Sequence, residues 1–357
     1  MSDPFGRRAI HGVDITTTDK IVKFSCLRSP HLFLAAHAGS CFIGGPMSTT
    51  THKSEHINPV NKNDWLALRR QDVTSTEVPA LFGASPYKTA FGLWQSKRPT
   101  YVEEPFEETN RIKWGTRLQD AIALGVAEDQ GWNVRRRGVY SRIPDLRLGA
   151  SFDFEILTHP DGPGILEIKN VDYLQFRDKW SDNDGVIEAP AHIELQLQAQ
   201  LLVSGRAWGA IVALVAGNEP RIAIRKASAE VHAGIESAVS AFWESQRNGI
   251  APDPDFAADG KYLRQLYAHA VPGKAVVSED PALDELVAQY RHLSSEIKSL
   301  EDLKEAARNQ ILASIGDAEK VLGNGWSISA GVVESKIVPE YVRASYRGFR
   351  VNVKKAK

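Results

Sequence analysis

The chain has 357 residues, 43% of them hydrophobic and 24% charged, with a formal net charge of -1. That balance supports a folded core and excludes a chain-wide basic field, so any contact with nucleic acid has to rest on local patches. Cys26 and Cys41 are the only cysteines and neither belongs to a C-x-x-C pair, which argues against a disulfide framework, a zinc finger or an iron–sulfur cluster.

The apolar runs at 32–36 and 210–216 are far shorter than the roughly 20 residues of a membrane span. No basic segment followed by an apolar stretch opens the chain, so no membrane partner and a cytoplasmic location are expected. Residues 1–60 lack periodicity and are rich in Gly, Ser, Thr, Pro and His, which reads as disordered or loosely attached sequence. Met1 and Met47 are the only methionines, so residues 1–46 read as an upstream extension before a natural start at Met47.

From Asn61 the pattern turns globular, and residues 61–258 form the expected folded unit. Asn63 or Asp64 can cap a short helix carrying Trp65, Leu66 and Leu68; Thr74 to Thr76 can cap a second one carrying Val78, Leu81 and Phe82, stopped by Gly83. An acidic connection at 103–108 precedes residues 114–130, which put Leu118, Ala121, Ile122, Gly125 and Val126 on one face of a core helix. Strands are predicted at 133–141, 147–156 and 165–171, then a helix at 191–204, a strand pair at 207–215 and 220–225, and a helix at 231–248. Trp94, Trp114, Trp132, Trp180, Trp208 and Trp243 are assigned to the core.

A Pro, Asp and Ala linker over 259–278 leads to Leu283, Leu286, Tyr290, Leu293, Ile297 and Leu300, alternately three and four residues apart. This predicts a long amphipathic helix over 279–316 with coiled-coil spacing. The tail at 317–357 carries, from Tyr341 onward, six basic residues and no acidic one, suited either to DNA or to a neighbouring subunit.

Two stretches carry the chemistry, GASFDFEI from Gly149 and GILEIKN from Gly164. The strand period of two places Leu166 and Ile168 on one face and Glu167 with Lys169 on the other. Charges on an apolar strand are costly unless they pair, face water or hold a metal. Asp153, on the preceding strand of the hairpin, can add a second carboxylate, and two hard oxygen ligands beside a lysine suit Mg²⁺. The alternative is an exposed Glu167–Lys169 ion pair with Asp153 in a turn. The run Arg135, Arg136, Arg137 can grip a DNA backbone or be a solvated face, with Arg135 and Arg137 taken as substrate candidates.

These stretches, with WLALRRQDVTSTEV at Trp65, WGTRLQD at Trp114 and LQLQAQLLVSG at Leu195, resemble the YqaJ-type viral recombinase and lambda exonuclease family of the PD-(D/E)xK nuclease superfamily. The resemblance covers roughly 65–255. It implies an α/β fold with a mixed central β-sheet flanked by helices, a restriction-endonuclease-like core, followed here by a helical C-terminal extension. It implies Asp153, Glu167 and the Ile168 backbone carbonyl as metal ligands for Mg²⁺, with Mn²⁺ as the alternative, and Lys169 and Gln198 as catalytic groups. Arg69 and Thr76 match residues that recognise a 5′ phosphate.

The implied activity is a 5′-3′ exonuclease on linear double-stranded DNA ends. It would leave 3′ single strands for a single-strand annealing protein in phage-type recombination, from a homo-oligomer that in the family is a trimer. Gln119 stands where the family has a carboxylate, so it can reach a metal only through water; Phe152 and Phe154 replace the proline and glycine usual around Asp153. An endonuclease or repair nuclease on the same core, or a DNA-end-binding scaffold without catalysis, are the other readings.

Overall fold

The structure is a computed structural model that describes residues 52–102 and 108–335. The expectations for residues 1–51, for most of the acidic connection and for the basic aromatic tail after 335 lie outside the described residues.

The described chain opens with β1 (Glu55–Ile57), α1 (Lys62–Gln71), β2 (Val73–Thr74), α2 (Val78–Leu81), α3 (Ala90–Ser96) and the long α4 (Asn110–Gln130). Then come β3 (Val134–Arg136), β4 (Tyr140–Ile143), β5 (Leu148–Ser151), β6 (Phe154–Ile156), β7 (Gly164–Val171) and α5 (Tyr173–Lys179). A small hairpin of β8 (Ser181–Asn183) and β9 (Val186–Glu188) precedes α6 (Ala191–Ser204), β10 (Trp208–Val215), β11 (Glu219–Lys226), α7 (Ala229–Asn248) and α8 (Gly260–Leu266). Last are α9 (Pro281–Ile315) and the hairpin β12 (Lys320–Gly323) and β13 (Trp326–Ser329).

The central sheet has the order β11-β10-β7-β6-β3, parallel between β10 and β7 and antiparallel elsewhere. Its two faces follow from the period of two along β7. Leu166 and Ile168 pack with Ile122, Ala123 and Val126 of α4, while Ile165 packs with Leu197 and Leu201 of α6 and Ile235 and Val239 of α7. The result is the expected mixed sheet flanked by helices. A second sheet, β1-β4-β5-β2, stands beside it.

The predicted strands 133–141 and 147–156 each break in two, because the hairpin passes from one sheet to the other. Phe152 and Phe154 explain the break. In a straight strand they would share a face, yet Phe152 packs in the cluster with α6 and Phe154 in the cluster with α4. The chain must turn over between them, and the residue at that point is Asp153.

Other boundaries shift for physical reasons. Helix α4 begins before residue 114, since Thr109 caps it by accepting from the Ile112 N–H. Its buried face is Ile122, Ala123, Val126 and Ala127 rather than one including Ala121 and Gly125. Trp114, expected in the core, is 52% exposed, with the Arg117 guanidinium 5.2 Å from its ring centroid. Residues 52–60 are not loose throughout: β1 pairs with β4, and the Ser54 hydroxyl donates to the Val203 carbonyl at 2.7 Å. Among the described residues no helix is long and apolar enough to cross a membrane.

The expected linker at 259–278 begins with a packed helix. Tyr262 of α8 is buried against Gly92, where a Cβ would collide with its ring. Asp259, also buried, accepts from the Thr89 hydroxyl at 2.5 Å and the Asp255 N–H at 2.8 Å, while Thr89 caps α3. Asp259→Ala strands both donors and is expected to cost about 2 kcal/mol, read as a lowered urea midpoint; an unchanged midpoint would show that α8 adds nothing to the body.

Candidate active site

Strand β7 delivers the site. Glu167 is 3% exposed on the α6 face of the sheet, and three donors converge on it. Lys169 Nζ lies 2.6 Å and Gln196 Nε2 2.7 Å from Glu167 Oε1, and Gln200 Nε2 lies 2.7 Å from Oε2. Lys169 also donates to Gln196 Oε1 at 3.3 Å. Burial works against the Lys169 ammonium, but the charge and hydrogen bond of Glu167 more than offset it, so Lys169 is held above its ordinary value.

Asp153 reaches the same place from the break between β5 and β6. Its Oδ2 accepts from the Ile168 N–H at 3.0 Å. Burial, then the charge of Glu167, pushes its carboxyl well above the usual carboxylate range. The N–H and C=O of one strand residue project to the same side, so the Ile168 carbonyl also faces Asp153.

These groups suit a divalent cation. The Asp153 carboxyl, raised by burial and then by Glu167, a backbone oxygen beside it and the buried Gln200 Oε1, without a hydrogen-bond partner among the described residues, form a set that positive charge or its waters would relieve. Among the described residues no three His, Cys, Asp or Glu side chains gather as a metal-ligand group. The two carboxylates and the carbonyl would therefore act with several waters, which is how Mg²⁺ binds.

Gln198, expected at the site, is elsewhere. Its Nε2 donates to the Lys226 carbonyl and its Oε1 accepts from the Ser228 N–H, so it joins α6 to the β11–α7 turn. Helical geometry is the reason: Gln196 and Gln200, four residues apart, share a face, while a residue two positions from either points to the opposite side. The residues missed by sequence are therefore Gln196 and Gln200, and their one-turn spacing was the signal.

A cleft of about 180 Å³ opens beside Asp153, lined also by Trp65, Gln119, Arg136 and Ser151. Gln119 accepts from Arg136 at 3.5 Å, and Arg136 is held by the neighbouring Asp120 at 2.6 and 2.8 Å. Trp65 donates to the Ser151 hydroxyl at 3.0 Å and carries the Arg69 guanidinium 4.6 Å above its ring. Arg69 in turn donates to the Thr76 hydroxyl at 3.1 Å, so the two residues expected to act together do meet. Tyr87, 81% exposed, makes an edge contact with His192, whose pKa is lowered by burial and by Lys169; no sequence pattern singled out this pair.

Arg135 and Arg137, the substrate candidates of the arginine run, are ion-paired within the protein. Both bond the fully buried Glu155, as does Arg206 at 2.8 Å. Burial alone would raise the Glu155 carboxyl, but hydrogen bonds from Arg135 and Arg206 and the charge of Arg137 hold it down at about 2.

The profile of the YqaJ-like viral recombinase domain matches residues 64–207. The central segment of this chain is YqaJ-like. The match spans Arg69, Asp153, Glu167, Lys169, Gln196 and Gln200, and stops well before α9. The Bacillus subtilis (strain 168) protein YqaJ, described as uncharacterized, is 26% identical over 304 residues, which cover 83% of this chain and 92% of that protein. Among solved structures, the alkaline exonuclease LHK-Exo of Laribacter hongkongensis aligns over 57% of this chain and 97% of its own, at 19% identity and a TM-score of 0.44. The same enzyme in complex with dAMP aligns at 18% identity over 57% of this chain and 100% of its own, with a TM-score of 0.41.

The arginine cluster generates a stability prediction. The folded Glu155 carboxyl lies below its ordinary 4.5, so its contribution is present above about 4.5 and is lost as pH falls toward about 2. Glu155→Gln should cost about 3 kcal/mol at pH 7, and the gap to the wild type should close in that acid window when unfolding is followed against pH. A gap independent of pH would mean that the charge is not what matters.

Proposed function

We propose that this protein is a divalent-metal-dependent DNA exonuclease. The observation that carries the reading is the meeting of Asp153, Glu167 and Lys169 at the edge of β7, beside a cleft with Arg136 and close to the Arg69–Thr76 pair. A buried cation–carboxylate group of this kind is expensive as mere structure and useful against a phosphodiester.

Asp153, Glu167 and the Ile168 carbonyl would hold Mg²⁺ or Mn²⁺, which when bound polarises a phosphoryl oxygen and lowers the pKa of a water. Lys169, kept cationic by Glu167, serves as an electrostatic group: it orients the attacking water and offsets charge growing on the phosphate, rather than removing a proton. Gln196 and Gln200 fix the Glu167 carboxylate. Arg69 offers a planar guanidinium, backed by Trp65 and Thr76, to a terminal phosphate. Gln119 in place of a carboxylate leaves the cleft side of the site without a third negative charge.

The resemblance supplies the finer reading: digestion of linear duplex from a 5′ end, a 3′ single strand handed to an annealing protein in recombination, and a trimeric nuclease core. An end-labelled digestion series on 5′-phosphorylated linear duplex and covalently closed circles, with Mg²⁺ and with chelator, tests it. Metal-dependent nucleotide release from linear DNA alone is expected; no release would sink the reading, and equal cutting of closed circles would make the enzyme an endonuclease.

Lys169→Ala should lower turnover by about 10²- to 10³-fold while leaving binding to a DNA end nearly intact. A pure end-binding scaffold has no turnover to lose. Gln196→Ala and Gln200→Ala should each cost about 10- to 100-fold, whereas Gln198→Ala should lower the melting temperature with a smaller effect on rate.

A further inference from the structure

Tyr87 is 81% exposed, yet its backbone is fixed on both sides. The Ser85 hydroxyl accepts from the Tyr87 and Lys88 N–H groups at 3.2 and 3.3 Å, which closes the turn that carries the ring. Lys88 then donates to Glu77 at 3.5 Å and to the Ser96 hydroxyl at 3.3 Å, and Thr89 caps α3 while donating to buried Asp259.

Two tethers join this turn to the two halves of the site. Glu77, which takes Lys88, also accepts from the Thr74 N–H and hydroxyl at 3.0 Å, and the Thr74 hydroxyl meets both Arg69 and Thr76. On the other side the Tyr87 ring meets that of half-buried His192, with 5.9 Å between centroids and 86° between planes. His192 stands one turn before Gln196 on α6, the glutamine that bonds Glu167 and Lys169. Both rings also lie within electrostatic range of the Lys169 ammonium. The contact with His192 is edge-on, so most of the tyrosine surface stays open. Trp65, the other ring near Arg69, is covered by that guanidinium and tied to Ser151.

We infer that Tyr87, braced by His192, stacks on the terminal nucleobase of the strand being cut. The inference rests on the roles proposed above for Arg69 at the terminal phosphate and Lys169 at the scissile one. When a mononucleotide is removed, those two phosphates flank a single nucleoside. Its base therefore lies beside the groups that link the two halves of the site, where Tyr87 offers an open ring. Stacking suits a nuclease that must accept any sequence, because every base has a π face.

End binding tests this without requiring turnover. The full chain is titrated, in chelator, with 5′-phosphorylated linear duplex whose terminal nucleotide is either intact or abasic, and fluorescence anisotropy is followed. Tyr87→Ala should weaken binding to the intact end by about 10- to 100-fold, Tyr87→Phe should restore it, and the exposed position should leave the melting profile unchanged. On the abasic end, wild type and Tyr87→Ala should bind alike. An equal loss by Tyr87→Ala on both ends, no loss on either, or a failure of Tyr87→Phe to restore binding would overturn the stacking. Wild type that releases nucleotides with Mg²⁺ but gives one of those results loses only the stacking. Wild type that shows the predicted binding pattern and releases nothing loses the exonuclease reading and keeps the stacking.

Discussion

Two carboxylates and an ammonium pressed together at the edge of a buried strand are the constraint on which the site depends. Glu167 is nearly inaccessible to water, and its oxygens are held by Lys169, Gln196 and Gln200. Asp153, facing the same strand through the Ile168 N–H, bears the cost of that neighbour in a carboxyl pushed up from its usual range. An arrangement like this persists only if the surrounding scaffold over-determines it. Here the scaffold is β7, paired on both edges and packed between α4 on one face and α6 and α7 on the other.

The position of Asp153 shows how packing and chemistry meet. The hairpin turns over between Phe152 and Phe154 because their rings are drawn into clusters on opposite sides of the sheet. The residue between them leaves the ladder and becomes available to a ligand. The large rings of Phe152 and Phe154 achieve this reversal by burial on opposite sides of the sheet.

Charge is sorted in the same economical way. Of the three consecutive arginines, Arg135 and Arg137 neutralise buried Glu155, with Arg206 joining them, while Arg136 is anchored by Asp120 and lines the cleft together with Arg137. The alternation along β3 accounts for this division, since Arg135 and its neighbour Arg136 leave the strand on opposite faces. The Arg69 guanidinium is likewise fixed before any substrate arrives, by the Trp65 ring and two threonine hydroxyls. Such preorganisation would lower the conformational cost of binding a phosphate in the role proposed for Arg69.

Periodicity and local chemistry were legible in the sequence: the core helix, the strand that carries Glu167 and Lys169, the crossover helix ending at Gly205, and the long amphipathic helix up to Gly316. These features depend on neighbours a few residues away, and capping, turns and hydrophobic spacing report them directly. What linear order could not decide was which faces meet. The broken hairpin, the burial of Glu155 under Arg135, Arg137 and Arg206, and the docking of α8 on Gly92 all arise from partners distant along the chain. The glutamine helix makes the point most clearly. Helical spacing already pairs Gln196 with Gln200 on one face and sets Gln198 on the other, but only the sheet beneath α6 determines that the paired face looks toward Glu167.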